Sequence, residues 1–224
     1  MAPKAGSVDA TLSLAKVVRA AMELADRDGI EKLTIRNLAT ALGTKPMSLY
    51  YYVKNKDALL GAMVDHVFSR IDRPPVGLPW KEALRQRCVS ARAVLGQHPW
   101  AVSLMESQSE PLPELLAHHE SVLATLDRGG FDLELMAHAY AVLDSFVYGY
   151  VVQEANVAVQ SKADAETLER LAAAMDPAVY PTMVRFAMEH VMTPDYAFGN
   201  SFEYGLDLVL AGLESALAEA ASTS

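Results

Sequence analysis

Four consecutive residues, Lys45, Pro46, Met47 and Ser48, offer a cation, a helix-starting proline, a thioether and a hydroxyl within a little over one helical turn. Reading the edge of a base pair needs this kind of set: hydrogen-bonding groups for the bases and an apolar surface for a thymine methyl. Tyr50, Tyr51 and Tyr52 follow, and tyrosine hydroxyls reach phosphate oxygens. Three successive tyrosines point in different directions around a helix, so at least one lies outside any core; Leu49 and Val53 are read as the core positions. Lys54 and Lys56 flank the start of the next helix. A cation there opposes the helix macrodipole, at a cost of about a few tenths of a kcal/mol, so it is expected to serve a bound anion. A helix N-terminus is itself a phosphate site. The plain alternative is a solvated surface lysine.

Other chemistries find less support. His66, His98, His138 and His190 are scattered, and the adjacent His118 and His119 point to different faces, so no metal site is expected. There is no phosphate loop and no Gly-x-Ser-x-Gly, and the sole cysteine, Cys88, sits in a helical stretch without an identifiable base. Neither catalysis nor a cofactor is expected. Tyr140, Asp144 and Tyr148 recur every four residues and share a helix face with Ala137. An aspartate between aromatics on such a face is either a ligand contact or a partner for Arg87, and both readings stand.

The elements that position these groups are all helical. Leu14, Val17, Val18, Ala21, Leu24 and Ala25 mark one apolar face of a first helix that ends before Gly29. Thr34 is an N-cap for a second helix, with Leu33 and Leu38 as its hydrophobic staple and Leu42-Gly43 as its end. Thr44 is read as the cap of a third short helix, whose first turn tolerates Pro46, running to about Tyr52. Asn55 caps a fourth that continues to about Ile71. DRPPVGLP then breaks helix. Helical periodicity resumes over Trp80–Leu95, Glu114–Leu126, Leu133–Val157 and Phe202–Ala220, whereas Gln160–Pro181 is read as partly disordered. The fold class is therefore all-α: an N-terminal three-helix helix-turn-helix domain, residues 1–58, and a larger helical domain, residues 59–224.

Charge divides along the same line. The chain carries a net −9, but residues 1–70 hold ten Lys/Arg against seven Asp/Glu, leaving nine against twenty-one for the rest. Only the N-terminal part suits a polyanion. A hydrophobic content of 51% supplies a core, a lone cysteine excludes an intramolecular disulfide, and the opening residues lack the apolar block of a signal peptide. No apolar run is read as spanning a membrane, and the expected location is the cytoplasm.

The segment LTIRNLATALGTKPMSLYYYVKNKDALLGAM closely resembles the DNA-binding domain of the tetracycline-repressor (TetR) family: a Leu-Thr opening, Leu-Ala before the turn, then Leu-Tyr, a hydrophobic residue and Asn-Lys. Pro79-Trp80, His98-Pro99, Gly130-Phe131, Phe146 with Gly149, and Gly205-Leu206 through Gly212-Leu213 resemble the C-terminal domain of the tetracycline repressors. The resemblance covers residues 12 to 218. It implies a regulator of transcription that holds a double-stranded DNA operator through Thr34, Arg36, Lys45, Pro46, Met47, Ser48, Tyr50, Tyr51, Tyr52, Lys54 and Lys56. It also implies a homodimer joined by the helix around Phe146 and Tyr150 and by the last helix, with Phe202, Leu206, Val209, Leu210, Leu213 and Leu217. A small-molecule effector would meet Arg87, Ala91, Met105, Gln108, His119, Val122, Ala137, Tyr140 and Gln153, joined by Asp144 and Tyr148 from the helix face they share with Tyr140. In the tetracycline repressors a magnesium ion links drug to a histidine, with a carboxylate of the other subunit holding its water shell. Met105 and Gln153 stand at those two positions here, and Glu154 points about 100° away from Gln153 on a helix. A thioether and an amide do not make a magnesium site, so the implied effector is apolar or aromatic and binds without a metal. Control by a partner protein, or an enzyme on a helical scaffold, are the competing readings.

Overall fold

The computed structural model describes residues 12–105, 107–108, 110–160, 170 and 174–223. Among them there is no strand, and the chain groups into two compact units: Met1–Arg70 with Trp100–Leu116, and Ile71–Pro99 with Ala117–Ser224.

In the first unit, α1 (Leu14–Asp28) starts on Ser13, whose hydroxyl accepts from the Lys16 amide at 3.3 Å. Val17, Val18, Ala21, Leu24 and Ala25 are buried as their spacing predicts, whereas Leu14 is about half exposed. Thr34 caps α2 (Ile35–Ala41) by accepting from the Asn37 amide at 3.0 Å, and both staple residues, Leu33 and Leu38, are buried. The end of α2 is built by Gly43 at φ +62°: its amide donates to Thr40 O at 3.1 Å and the Thr44 amide to Ala39 O at 2.9 Å. This paired closure needs a left-handed residue after the helix. No atom crowds a Cβ at Gly43, so Gly43→Ala is expected to cost only the conformational term, about 1–2 kcal/mol, read as a lower midpoint in urea denaturation.

Two local expectations need correcting. The N-cap of α3 (Pro46–Leu49) is Lys45, in extended backbone and without a side-chain cap, rather than Thr44. The helix stops at Leu49, three residues early: the amides of Tyr52 and Val53 both return to Leu49 O, at 2.9 and 3.1 Å, which makes a turn in place of a further helical turn. Asn55 caps α4 (Lys56–Phe68) as expected, accepting from the Ala58 amide at 2.7 Å. The expected domain boundary at residue 58 lies inside α4. A short helix that the sequence did not reveal, α6 (Trp100–Met105), completes this unit. The Trp100 indole donates to Asp26 of α1 at 2.6 Å, and the Glu114 amide to Asp65 of α4 at 2.7 Å.

The second unit is formed by α5 (Trp80–Gln97), most of α7 (Pro113–Arg128), α8 (Leu133–Gln160), α9 (Pro181–Phe186) and α10 (Ser201–Thr223). Here α8 packs on α5 and α10. Gly205 on α10 is where the Phe146 ring of α8 lies directly against backbone; a Cβ would come within 2.7 Å of it. Ion pairs fasten α5 outward: Lys81 to Glu214 at 2.7 Å, Arg85 to Asp207, and Arg92 to Glu154, whose Nε–Oε2 distance is 3.0 Å. The stretch Leu133–Val157 has a mean hydropathy of 1.3 and is, among the described residues, long and apolar enough to cross a bilayer. That corrects the expectation that no run approaches this length. Within the protein it carries Asp144 and Glu154 in ion pairs with α5. The expectation of disorder over Gln160–Pro181 falls mainly outside the described residues.

Candidate nucleic-acid interface and effector site

The turn between α2 and α3, and α3 itself, put the sequence-selected side chains on the surface. Thr34, Arg36, Lys45, Pro46, Met47, Tyr50, Tyr51, Lys54 and Lys56 are exposed, and Ser48 and Tyr52 are half-buried. Met47 at 72% and Tyr51 at 90% exposure decide the question the sequence left open: these large side chains are not core. Leu49 and Val53 are core, and through them α3 is held down. The Asn55 side chain satisfies the third amide of α4, while the amides of Lys56 and Asp57, one turn short of any carbonyl in the helix, remain donors beside two lysines.

In the second unit, Arg87 of α5 and Asp144 of α8 form a buried ion pair, Nη1 to Oδ1 at 2.7 Å. The guanidinium also donates to the Tyr148 hydroxyl at 3.3 Å, and that hydroxyl donates to the other carboxylate oxygen at 3.2 Å. Burial, together with the Asp144 carboxylate, also raises the pKa of the Tyr140 hydroxyl. Asp144 is thus the partner of Arg87, one of the two roles open to it. Burial against the carboxylate pushes both tyrosine hydroxyls well above the ordinary phenol range, so they stay protonated donors. For Arg87 burial favours neutrality, but Asp144 more than offsets it and holds the guanidinium charged. His119 meets the Tyr140 ring edge-on at 5.4 Å, and desolvation lowers its proton affinity. Ala91 and Val122 are buried, whereas Ala137 and Gln153 are exposed. Met105 and Gln108 belong to the other unit, where Gln108 reaches over Gly61 of α4; a Cβ at Gly61 would stand 2.9 Å from its Oε1. No group of three or more His, Cys, Asp or Glu among the described residues is placed to hold a metal.

The residues assigned to an oligomer face divide. Phe202, Leu206 and Leu210 are fully buried inside the chain and Leu213 nearly so; Phe202 packs on the rings of Phe146 and Tyr150. The stripe was wide enough to serve two faces, and its inner half closes this unit's own core. Phe146, Tyr150, Val209 and Leu217 are half-buried. The large apolar side chains left exposed on these two helices, among the described residues, are Leu133, Val142, Val152, Val157, Tyr204 and Leu208. Sequence reasoning missed these, and it missed the Trp100–Asp26 and Glu114–Asp65 hydrogen bonds, because partners 74 and 49 residues apart leave no local pattern.

Two family descriptions match the chain: "Bacterial regulatory proteins, tetR family" over residues 17–63 and "Tetracyclin repressor-like, C-terminal domain" over residues 74–217. An HTH-type transcriptional regulator of Saccharopolyspora erythraea is 36% identical over 140 residues, 62% of this chain; the match spans 59% of that relative's length. The HTH-type transcriptional repressor DrrR1 of Streptomyces coeruleorubidus is 31% identical over 220 residues, covering 93% of this chain and 80% of the relative. Among solved structures, the Streptomyces coelicolor TetR family protein ActR in complex with actinorhodin superposes with a TM-score of 0.70 at 25% identity, over 92% of this chain and 99% of that one. The described fold is the two-part helical architecture of this family. The chain therefore belongs to the tetR family of bacterial regulatory proteins and is a DNA-binding regulator of transcription, not an enzyme.

Proposed function

We propose that this regulator is a homodimeric repressor that holds a palindromic operator and lets go when a small, largely apolar or aromatic effector binds its C-terminal part. The observation that carries the reading is the outward display of Met47 and Tyr51 beside Lys45, Ser48, Lys54 and Lys56. Exposed apolar and aromatic groups on a short element are otherwise a liability, and a groove of DNA accounts for them. Lys45, Met47 and Ser48 read base edges; Pro46 sets the helix start; Thr34, Arg36, Tyr50, Tyr51, Tyr52, Lys54 and Lys56 hold the backbone. A regulator of chromosomal DNA works in the cytoplasm.

Dimerisation uses the outer faces of α8 and α10, where Val142, Val152, Val157, Tyr204 and Leu208 are exposed with Phe146, Tyr150, Val209 and Leu217 at the edge. Two helices of one unit with apolar outer faces suit a self-complementary contact. In this scheme residues 1–58 read DNA and residues 59–224 dimerise and bind the effector, at Arg87, Ala91, His119, Val122, Ala137, Tyr140, Asp144, Tyr148 and Gln153 of the second unit. The solved complex of ActR with actinorhodin supports a small-molecule effector. Gln153 provides no charged oxygen, so binding is independent of metal. Thermal shift with tetracycline, with and without Mg²⁺, tests this: no magnesium-dependent stabilisation is expected, and stabilisation by micromolar drug that requires Mg²⁺ would overturn it.

A further inference from the structure

In the first unit, Ser107, Gln108, Glu110, Pro111 and Leu112 face the start of α4 across a cleft of about 550 Å³. A space of that size holds a small organic molecule. Gly61 lies at its inner side: a Cβ there would stand 2.9 Å from Gln108 Oε1 and 3.3 Å from a Leu112 methyl, so it is bare backbone that lets the two walls meet. Ala58 and Ala62 on α4, with Pro111 and Leu112 opposite, supply apolar surface. The polar groups are uneven in sign. Asp57 and Glu110 bring a carboxylate from each wall and Lys54 a single ammonium, and none of the three forms an ion pair among the described residues. The Gln108 amide nitrogen donates to Leu104 O at 2.9 Å, which leaves its Oε1 an acceptor without a donor among those residues. The Asn55 oxygen is taken by the Ala58 amide at 2.7 Å. An anion in the cleft would face two carboxylates, and a neutral molecule would leave both uncompensated. A cation with an apolar body matches the charge and the walls together.

We infer that this cleft binds an organic cation, a protonated amine on an apolar body, held by Asp57, Glu110 and Gln108 Oε1, and that the bound cation strengthens operator binding. The second half rests on the proposed phosphate contacts of Lys54 and Lys56. Asp57 and Glu110 share the cleft with Lys54, and their charge opposes an approaching phosphate; a cation between them cancels that charge. By reciprocity the operator tightens cation binding by the same factor. Such a ligand acts in the opposite sense to the effector of the second unit.

Calorimetry on the full chain without DNA tests the ligand class with two bodies, one globular and one flat, each carrying three head groups: adamantylamine, adamantanol and adamantane carboxylate, then naphthylmethylamine, naphthylmethanol and naphthoate. In at least one series the amine is expected to bind about tenfold or more tightly than the alcohol and the acid, the gain of a charge-assisted contact. Asp57→Asn combined with Glu110→Gln should remove that preference and leave alcohol binding as it was; both positions are exposed, so the fold is kept. Equal binding of the three heads in both series, preference for the acid, amine binding that survives the double variant, or no binding of either amine overturns the site. Fluorescence anisotropy at fixed ionic strength then reads the operator. The bound amine should tighten operator binding about fivefold or more, and the double variant should bind the operator more tightly than the parent chain and ignore the amine. Amine binding that leaves operator affinity unmoved or weaker overturns the strengthening and upholds the cation site. If Lys54→Ala and Lys56→Ala also leave operator affinity unchanged, the fault lies in their proposed phosphate contacts.

Discussion

Asp144→Ala is expected to destabilise the C-terminal unit by about 3–5 kcal/mol, because it leaves the Arg87 guanidinium charged and buried without its counter-ion. Guanidinium does not deprotonate to escape, so the penalty falls on stability. Solvent screening does little to soften it: the Arg87 side chain is 1% exposed and that of Asp144 10%. Replacing both members by leucine should recover most of the loss, since two desolvated charges are exchanged for apolar packing. Urea denaturation of the two single variants and the double variant measures this. A loss under about 1 kcal/mol for Asp144→Ala would place the pair in a solvated setting, contrary to its described burial.

Operator affinity is expected to fall about 10³- to 10⁵-fold between 50 and 200 mM salt, the range for six to ten neutralised phosphates. A dimer would present two copies each of the cations Arg36, Lys54 and Lys56, which reaches the lower end of that range. Lys56→Ala should weaken binding to every sequence alike and reduce the salt slope by about one for each phosphate no longer neutralised. Lys45→Ala and Ser48→Ala should instead change which base is preferred, at about 1–3 kcal/mol for each specific hydrogen-bonding group removed. Fluorescence anisotropy on a panel of duplexes separates the two behaviours. If Lys56→Ala altered base preference while Lys45→Ala and Ser48→Ala did not, the reading and holding roles of these residues would be reversed.

The parts of this protein that were legible in its sequence are those governed by local rules. Caps at Thr34 and Asn55, the glycine after α2, and the buried positions of α1 follow from interactions within four residues along the chain, and the structure places them as read. Where two local signals competed, the reading failed: Thr44 and Lys45 both precede Pro46, and the cap went to the residue in extended backbone immediately before it. Long-range facts were out of reach. The apolar stripe of α10 shows that a broad face is buried but not by what, so Phe202, Leu206 and Leu210 were assigned to a partner although they close their own core. Residues 100–116 lie between helices of the second unit in sequence yet group with the first, through Trp100 on Asp26 and Glu114 on Asp65. The Arg87–Asp144 pair was half legible: the four-residue repeat on α8 marked its face, and only the packing of α5 on α8 chose its partner.

Selection of bound duplexes from random DNA by the full-length chain tests the central claim most directly, that two copies of one recognition helix read DNA through a two-fold axis. The expected result is an imperfect palindrome, with half-sites centred about 34–36 Å apart or a multiple of that spacing and two chains bound per duplex. Selected sites without two-fold symmetry, occupied by a single chain, would contradict it.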